Sequence, residues 1–133
     1  MKRVGFALRS SLASKDVYLQ ADAVRAMGEA GPTAADAIPE LLRILRDPRS
    51  TLRDDVIRAL GRIGPVASAA VSDLLAIVKE GDISLRAAAA IALGGIGQPP
   101  QEVARALIRA LQDADQQVRD AAVQGLGAMR PLP

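Results

Sequence analysis

The side chains best suited to chemistry in this chain form one row of polar residues spaced 33 positions apart. Gln20, Arg53, Arg86 and Arg119 make up this row. Guanidinium groups at a fixed spacing suit two roles, the binding of phosphates or pairing with carboxylates inside the fold. Acidic residues occupy the turns next to these positions: Asp47, Glu80, Asp82, Asp113 and Asp115. Pairing inside the fold is therefore the favoured interpretation of the row.

Catalytic chemistry finds little support in the composition. The chain has no histidine and no cysteine, which removes the commonest general base, thiolate nucleophiles and the commonest transition-metal ligands. The closest acid pairs are Asp54 with Asp55 and Asp113 with Asp115. Both pairs lie at or near predicted helix starts, where carboxylates interact favourably with the helix dipole. The sequence therefore predicts no catalytic residue, no metal and no cofactor, and a protein that is not an enzyme.

The charge distribution separates a short basic segment from a nearly neutral body. The net charge is +2, of which residues 1–15 carry +4 and residues 16–133 carry −2. Nucleic-acid binders usually show a basic face along the body, so nucleic acid is an unfavoured partner. Apolar runs stay shorter than the ~18–20 residues of a membrane-spanning helix, and Arg9 interrupts the apolar stretch near the N-terminus. No membrane association and a cytoplasmic location are expected.

The predicted helices that carry these residues recur with the same period of 33. The clearest marker is an apolar residue followed by glycine, at Met27-Gly28, Leu60-Gly61, Leu93-Gly94 and Leu126-Gly127. A period held this strictly is typical of a repeat array. Each marker closes a predicted helix, so its glycine is interpreted as part of a helix end and not as a phosphate-binding loop.

Each repeat carries two predicted helices, called here the first helix and the second helix. In the third repeat the predicted buried side chains are Leu85, Ala89, Ile91 and Leu93 in the first helix and Ala104, Leu107, Ile108 and Leu111 in the second. The second set has the spacing of an amphipathic helix. We expect one domain over residues 1–133 with about eight helices. Its units are a half repeat (2–13), three repeats (14–46, 47–79 and 80–112) and a half repeat (113–130).

One sequence pattern within the repeats resembles a known family. The pattern is Asp-x-x-Val/Leu-Arg-x-x-Ala-x-x-Ala-Leu-Gly-x-Ile-Gly, which residues 82–97 match almost fully and residues 115–127 match in its first part. Arg49 and Gln20 depart from it. The chain resembles the HEAT-repeat family, and within it the short HEAT-like repeats first recognised in phycobilisome lyase subunits. This resemblance implies an all-α fold, a right-handed α-solenoid of antiparallel helices in 33-residue helix-turn-helix repeats.

The resemblance also implies roles for particular side chains. In HEAT-like folds the arginine row and its neighbouring acids form a structural ladder between repeats. The residues expected in this ladder are Asp47, Arg53, Asp82, Arg86, Asp115 and Arg119. The second helices of such solenoids are expected to line the concave side, where outward-facing residues would contact a partner. The expected partner-binding residues are Glu40, Arg43, Arg46, Asp73, Lys79, Arg105 and Arg109.

The function favoured by this reasoning is a non-enzymatic scaffold that binds another protein of unknown identity on its concave face. The resemblance leaves open a subunit or fragment of a bilin lyase-like chromophore-maturation system. A DNA-binding HEAT-like protein is less favoured, because it would need a basic track with aromatic residues. The last helix has no following repeat to cover Val118, Ala122 and Leu126, which predicts self-association through an end or a longer parent chain.

Overall fold

The computed structural model describes residues 10–129, and within this range the chain is built of helices connected by short turns. Residues 10–12 form a helical turn, while the rest of the predicted helix over 2–13 and the end of the last half repeat lie outside the described residues. Seven α-helices follow: α1 (Val17–Ala30), α2 (Ile38–Leu45), α3 (Arg53–Ile63), α4 (Val71–Glu80), α5 (Ile83–Ile96), α6 (Pro100–Ala110) and α7 (Gln116–Ala128). Helices α1, α3, α5 and α7 are the first helices; α2, α4 and α6 are the second helices.

Aspartates start three of the first helices. The carboxylate of Asp16 accepts from the backbone N–H of Tyr18 at 2.9 Å. Asp82 and Asp115 each accept a backbone N–H of their own first turn at 2.8 Å. These bonds satisfy donors that have no partner within the helix. The aspartate of the repeat pattern is therefore a helix N-cap.

Glycines in left-handed backbone conformations end the first helices α1, α3 and α5. Gly31, Gly64 and Gly97 have φ angles of 64°, 89° and 64°, a region that side chains with a Cβ rarely enter. The N–H of Gly97 donates to the carbonyl of Leu93 at 2.8 Å, as in a helix C-cap. The glycine that ends each helix follows the marker glycine by three residues, and the marker glycines Gly28, Gly61 and Gly94 themselves lie inside the last turn of the helix. Short 3₁₀ segments, Gly31–Ala37 and Pro65–Ala70, lead into α2 and α4.

Successive first helices pack against each other at backbone distance. A Cβ built on Gly61 would lie 2.8 Å from the Cα of Ala92, and one built on Gly95 would lie 2.5 Å from the carbonyl oxygen of Gly61. Gly94 and Gly125 make the same close approach between α5 and α7. Successive second helices make much smaller contacts with each other. The first helices are therefore the closely packed layer of the array.

A single apolar core runs along the array between the two layers of helices. Leu41 and Leu74 from second helices and Ile57, Leu60 and Leu93 from first helices are fully buried in it. Within residues 10–129 no polar or charged residue is buried. Burial of apolar surface between neighbouring repeats is the main source of stability in such arrays.

The structure corrects several predicted core positions. Ile91 and Ile108 are exposed, although each follows a position that is buried. In α5 nearly every residue is apolar, so the sequence carries no contrast between an inner and an outer side. Conversely, Val118 and Ala122 are fully buried against α5 and α6, so the last helix is covered better than expected. Its Leu126 is half-buried.

Candidate functional site

The row of polar side chains at positions 20, 53, 86 and 119 shares one structural role. Each of these side chains donates to a backbone carbonyl at the end of the preceding helix or in the turn after it. The bonds run from Gln20 to Leu12 and Ser14, from Arg53 to Leu45, from Arg86 to Gly81, and from Arg119 to Asp113 and Ala114. Helix C-termini leave such carbonyls without partners inside the helix. The row therefore connects neighbouring repeats by side-chain hydrogen bonds to backbone carbonyls. Gln20 makes this contact as the three arginines do.

Arg86 adds a second contact, to a carboxylate at the next junction. Its Nε donates to Oδ2 of Asp113 at 3.1 Å, and its Nη2 donates to Oδ1 at 3.2 Å. The exposed fractions of the two side chains are 20% and 16%. Two parallel bonds between a guanidinium and a carboxylate are a strong and geometrically specific contact. Arg86 thus joins the start of α5 to the turn between α6 and α7.

The other acids of the expected ladder have different partners. Asp82 and Asp115 cap α5 and α7, as described above. Asp47 accepts from the backbone N–H of Arg49 at 2.9 Å and so shapes the turn before α3. Among the described residues, Asp113 is the one acid that pairs with a member of the arginine row. The row therefore makes a carboxylate contact between repeats at one junction. All four side chains of the row donate to backbone carbonyls.

The surroundings of Asp113 favour its charged form. The backbone N–H of Asp115 donates to its carboxylate at 2.9 Å. This bond is the largest influence that lowers the pKa of Asp113 below its ordinary value, followed by the hydrogen bonds from Arg86; partial desolvation opposes them. The pair is a structural ion pair, since both of its charges are already matched.

The seven partner-binding residues expected on the second helices fall into three groups. Arg46 and Asp73 pair with each other across α2 and α4, at 3.0 Å between Nη2 and Oδ2, and this contact raises the pKa of Arg46. The structure brings three others together in a groove between α4 and α6: Lys79, Arg105 and Arg109. The remaining two, Glu40 and Arg43, lie on α2, the first half-buried and the second exposed.

A different groove, which the sequence did not indicate, lies on the first helices. It has a volume of about 410 Å³ and is lined by three successive first helices, α3, α5 and α7. Its floor is made of small residues of α5, including Ala87, Ala88 and Gly95. We call the outward surface of α1, α3, α5 and α7 the first-helix face.

One row of residues could have indicated the first-helix face. Arg25, Arg58, Ile91 and Gln124 occupy the same position in four copies, and all are exposed. Neighbouring core positions stay apolar in all four copies, while this row changes from cationic to apolar to amide. Such variation in the outward positions of an otherwise regular repeat is typical of a surface that is free to specialise.

The comparison with protein families agrees with the geometry of the repeats. The family profile described as HEAT repeats matches residues 7–80 and 71–133, which together span nearly the whole chain. The chain belongs to the HEAT-repeat family. A comparison with curated proteins finds none that matches this HEAT-repeat chain.

The packing of these HEAT repeats bears on which layer faces inward. A stack of repeats bends toward the layer whose neighbouring helices lie closer together. In this HEAT array that layer is formed by the first helices, because α3, α5 and α7 approach each other at the distance of bare backbone. The packing therefore favours the first helices for the concave side, in place of the second helices expected from the resemblance.

Two further properties limit what the HEAT repeats hold. No helix within the described part of the chain has the length and apolar character to cross a membrane. Among residues 10–129, no group of three or more aspartates or glutamates is arranged to hold a metal ion. Within that range Asp54 and Asp113 form ion pairs, and Asp115 caps α7. Two candidate binding surfaces are the first-helix face and the groove between α4 and α6.

Proposed function

We propose that this HEAT-repeat chain is a non-enzymatic scaffold that binds another protein on its first-helix face. The observation that carries the proposal is the groove formed by three successive first helices. The small residues of α5 lie between longer side chains of α3 and α7, so the surface is depressed across three neighbouring helices. Such a concave surface suits a protein partner that contacts several repeats at once.

The chemistry of the groove also suits a protein. Its small floor residues leave room for side chains of a partner, and Ile91, 40% exposed, offers apolar surface at its centre. Arg58 and Arg62 line the α3 side, and Gln117 and Gln124 line the α7 side. An apolar centre with a polar rim is the usual anatomy of a protein interface. On α1, Tyr18 is 85% exposed and extends the first-helix face by an aromatic side chain.

The charges of the first-helix face support a protein over a nucleic acid. Arg25 lies 3.6 Å from Asp22, and Arg58 lies 3.1 Å from Asp54. Arginines that are paired with carboxylates do not form the continuous basic track that phosphate binding needs. The phycobilisome-lyase subtype and a bilin lyase-like role stay predictions, which absorbance of the protein after incubation with a bilin would test.

A matched pair of variants tests the proposed function. Ile91→Arg places a charge in the centre of the first-helix face, while Ile108→Arg places the same charge on α6, where Ile108 is 58% exposed. Immobilised parent and variant proteins are incubated with extract of the native host, and the captured proteins are compared. The proposal expects a specific protein that the parent and Ile108→Arg retain and Ile91→Arg loses. Equal capture by both variants at unchanged melting temperature would refute the first-helix face as the binding surface.

A further inference from the structure

The groove between α4 and α6 differs from its counterpart one repeat earlier in a specific way. In the earlier position, between α2 and α4, the guanidinium of Arg46 binds the carboxylate of Asp73 through two hydrogen bonds, of 3.0 and 3.3 Å. This ion pair bridges the two second helices. It links Arg46, the residue that follows α2, to Asp73 in the first turn of α4.

Moving this pair by one period of 33 residues gives Lys79 and Ala106. The cation is kept, but the carboxylate that would neutralise it is replaced by a methyl group. Both residues line the groove, which has a volume of about 370 Å³. The repeat thus loses its bridging acid at the same place where an open groove appears.

Two more cations join Lys79 at this groove. Arg105 and Arg109 lie one turn apart on α6, line the groove and are exposed. In the described part of the chain none of these three cations has a carboxylate partner. Of the two acids at the rim, Asp113 is already bound to Arg86, which leaves Glu102 as the free carboxylate. The rim therefore carries an excess of unmatched positive charge.

The floor between these cations is apolar. Leu75 and Val78 of α4 and Ala110 of α6 line it; Val78 and Ala110 are also part of the apolar core, and Leu75 packs against it. An apolar strip flanked by cations binds a segment that presents apolar residues on one side and carboxylates beside them.

We propose that the groove between α4 and α6 is a second binding site, for an acidic amphipathic segment of a partner protein. Leucine-sized side chains of the segment occupy the strip formed by Leu75, Val78 and Ala110. Its carboxylates pair with Lys79, Arg105 and Arg109, as Asp73 pairs with Arg46 one repeat earlier. The site lies on the second helices and is independent of the first-helix face.

The rim and the floor favour a peptide over a nucleic acid. Glu102 and the carboxylate of Asp113 would repel a continuous row of phosphates, whereas a peptide can place its acids between them. The apolar floor offers nothing to a phosphate backbone. Helices α4 and α6 have ten and eleven residues, so a segment of about 12 residues, some three helical turns, can lie along the groove.

The test uses a labelled peptide of about 12 residues, three helical turns, composed of glutamate pairs separated by leucines and carrying fluorescein. Binding to the full chain is followed by fluorescence anisotropy. A control peptide has lysine in place of each glutamate, a second has serine in place of each leucine, and single-stranded DNA of similar charge is the third probe. The proposal expects binding of the glutamate-leucine peptide and at least about tenfold weaker binding of all three controls.

Two variants in the groove and one control variant on the first-helix face show where the peptide binds. Ala106→Asp restores the acid that the preceding repeat has at this position, so it should neutralise Lys79 and weaken the peptide at least about fivefold without unfolding the protein. Arg109→Glu should weaken it further, and Ile91→Arg on the first-helix face should leave it unchanged. The proposal is overturned if the parent protein does not bind the peptide, or if DNA binds as tightly. It is equally overturned if correctly folded Ala106→Asp and Arg109→Glu bind the peptide like the parent.

Discussion

Arg86 and Asp113 form a two-point ion pair across the boundary between the third repeat and the last half repeat. The bonds are 3.1 Å from Nε to Oδ2 and 3.2 Å from Nη2 to Oδ1, while Nη1 of the same guanidinium donates to the carbonyl of Gly81 at 2.8 Å. One side chain therefore contacts two successive junctions, at Gly81 and at Asp113, and Asp113 lies 27 residues from Arg86 in sequence. Arg86 therefore has a structural role between repeats.

Replacing Arg86 with alanine should destabilise the protein. The substitution removes the guanidinium donors from the carbonyl of Gly81 and from the partly buried carboxylate of Asp113, which costs about 1–3 kcal/mol. Arg25→Ala is the matched control, because Arg25 lies on the surface and contacts Asp22 at 3.6 Å; its loss should cost less than about 0.5 kcal/mol. Urea denaturation followed by circular dichroism measures both values. Equal stability of the two variants would contradict the role given to Arg86.

The stability of the protein should depend on the ionisation of Asp113 in acid. The folded protein lowers the pKa of this carboxyl, chiefly through the N–H of Asp115 and the hydrogen bonds from Arg86. The group thus contributes stability above the unfolded pKa of about 3.9, and this contribution is lost as pH falls through the folded pKa. Asp113→Asn should be less stable than the parent at neutral pH, with a difference that narrows below about pH 4. Melting temperatures from pH 7 to pH 3 test this; a difference that stays constant would disprove it.

Gly94 and Gly127 occupy the same place in successive repeats, yet alanine should act oppositely at the two. A Cβ on Gly94 would lie 2.5 Å from the Cα of Gly125, whereas one on Gly127 meets nothing within 4 Å. Gly94→Ala must separate two backbones and should cost about 1–3 kcal/mol or more. Gly127→Ala lies near the end of α7 and should gain up to about 1 kcal/mol in helix propensity. Equal denaturation midpoints for the two variants would contradict the close packing of α5 on α7.

Much of the fold follows from the period of 33. Gly31, Gly64 and Gly97 are one period apart, and each ends a helix with a positive φ, three residues after a marker glycine. The helices lie where the apolar spacing places them. Helix caps and a periodic apolar stripe both depend on residues that are close in sequence, so the sequence predicts them directly.

Features that depend on distances between repeats could not be predicted in the same way. The pairing of Arg86 with Asp113 joins a helix start to a turn in the next repeat, and its geometry is set by how the helices stack. Ile91 was predicted to be buried because α5 is apolar on every side, and a stripe cannot be recognised where polar contrast is missing. The concave side depends on how closely neighbouring helices pack within each layer, and the close contact of Gly61 with Ala92 shows this spacing for the first helices.

The sequence indicated three residues of the groove between α4 and α6 but not the groove itself. Lys79, Arg105 and Arg109 were predicted to contact a partner from their outward positions, and the structure places them around one groove. The absence of a carboxylate at Ala106 can be interpreted only by comparison with the Arg46–Asp73 pair. The sequence alone does not show that Arg46 and Asp73 are in contact. Whether these residues bind a partner stays a prediction.

Photo-crosslinking from two matched positions tests the central claim, that a protein partner binds the first-helix face. A photo-reactive amino acid replaces Ile91 in one sample and Ile108 in another, both of which are exposed isoleucines on helices of the same repeat. Each protein is irradiated in extract of the native host, and the adducts are identified by mass spectrometry. If a protein partner binds the first-helix face, we expect one protein adduct from position 91 that is absent or much weaker from position 108. The same adduct from both positions, or from position 108 alone, would contradict it.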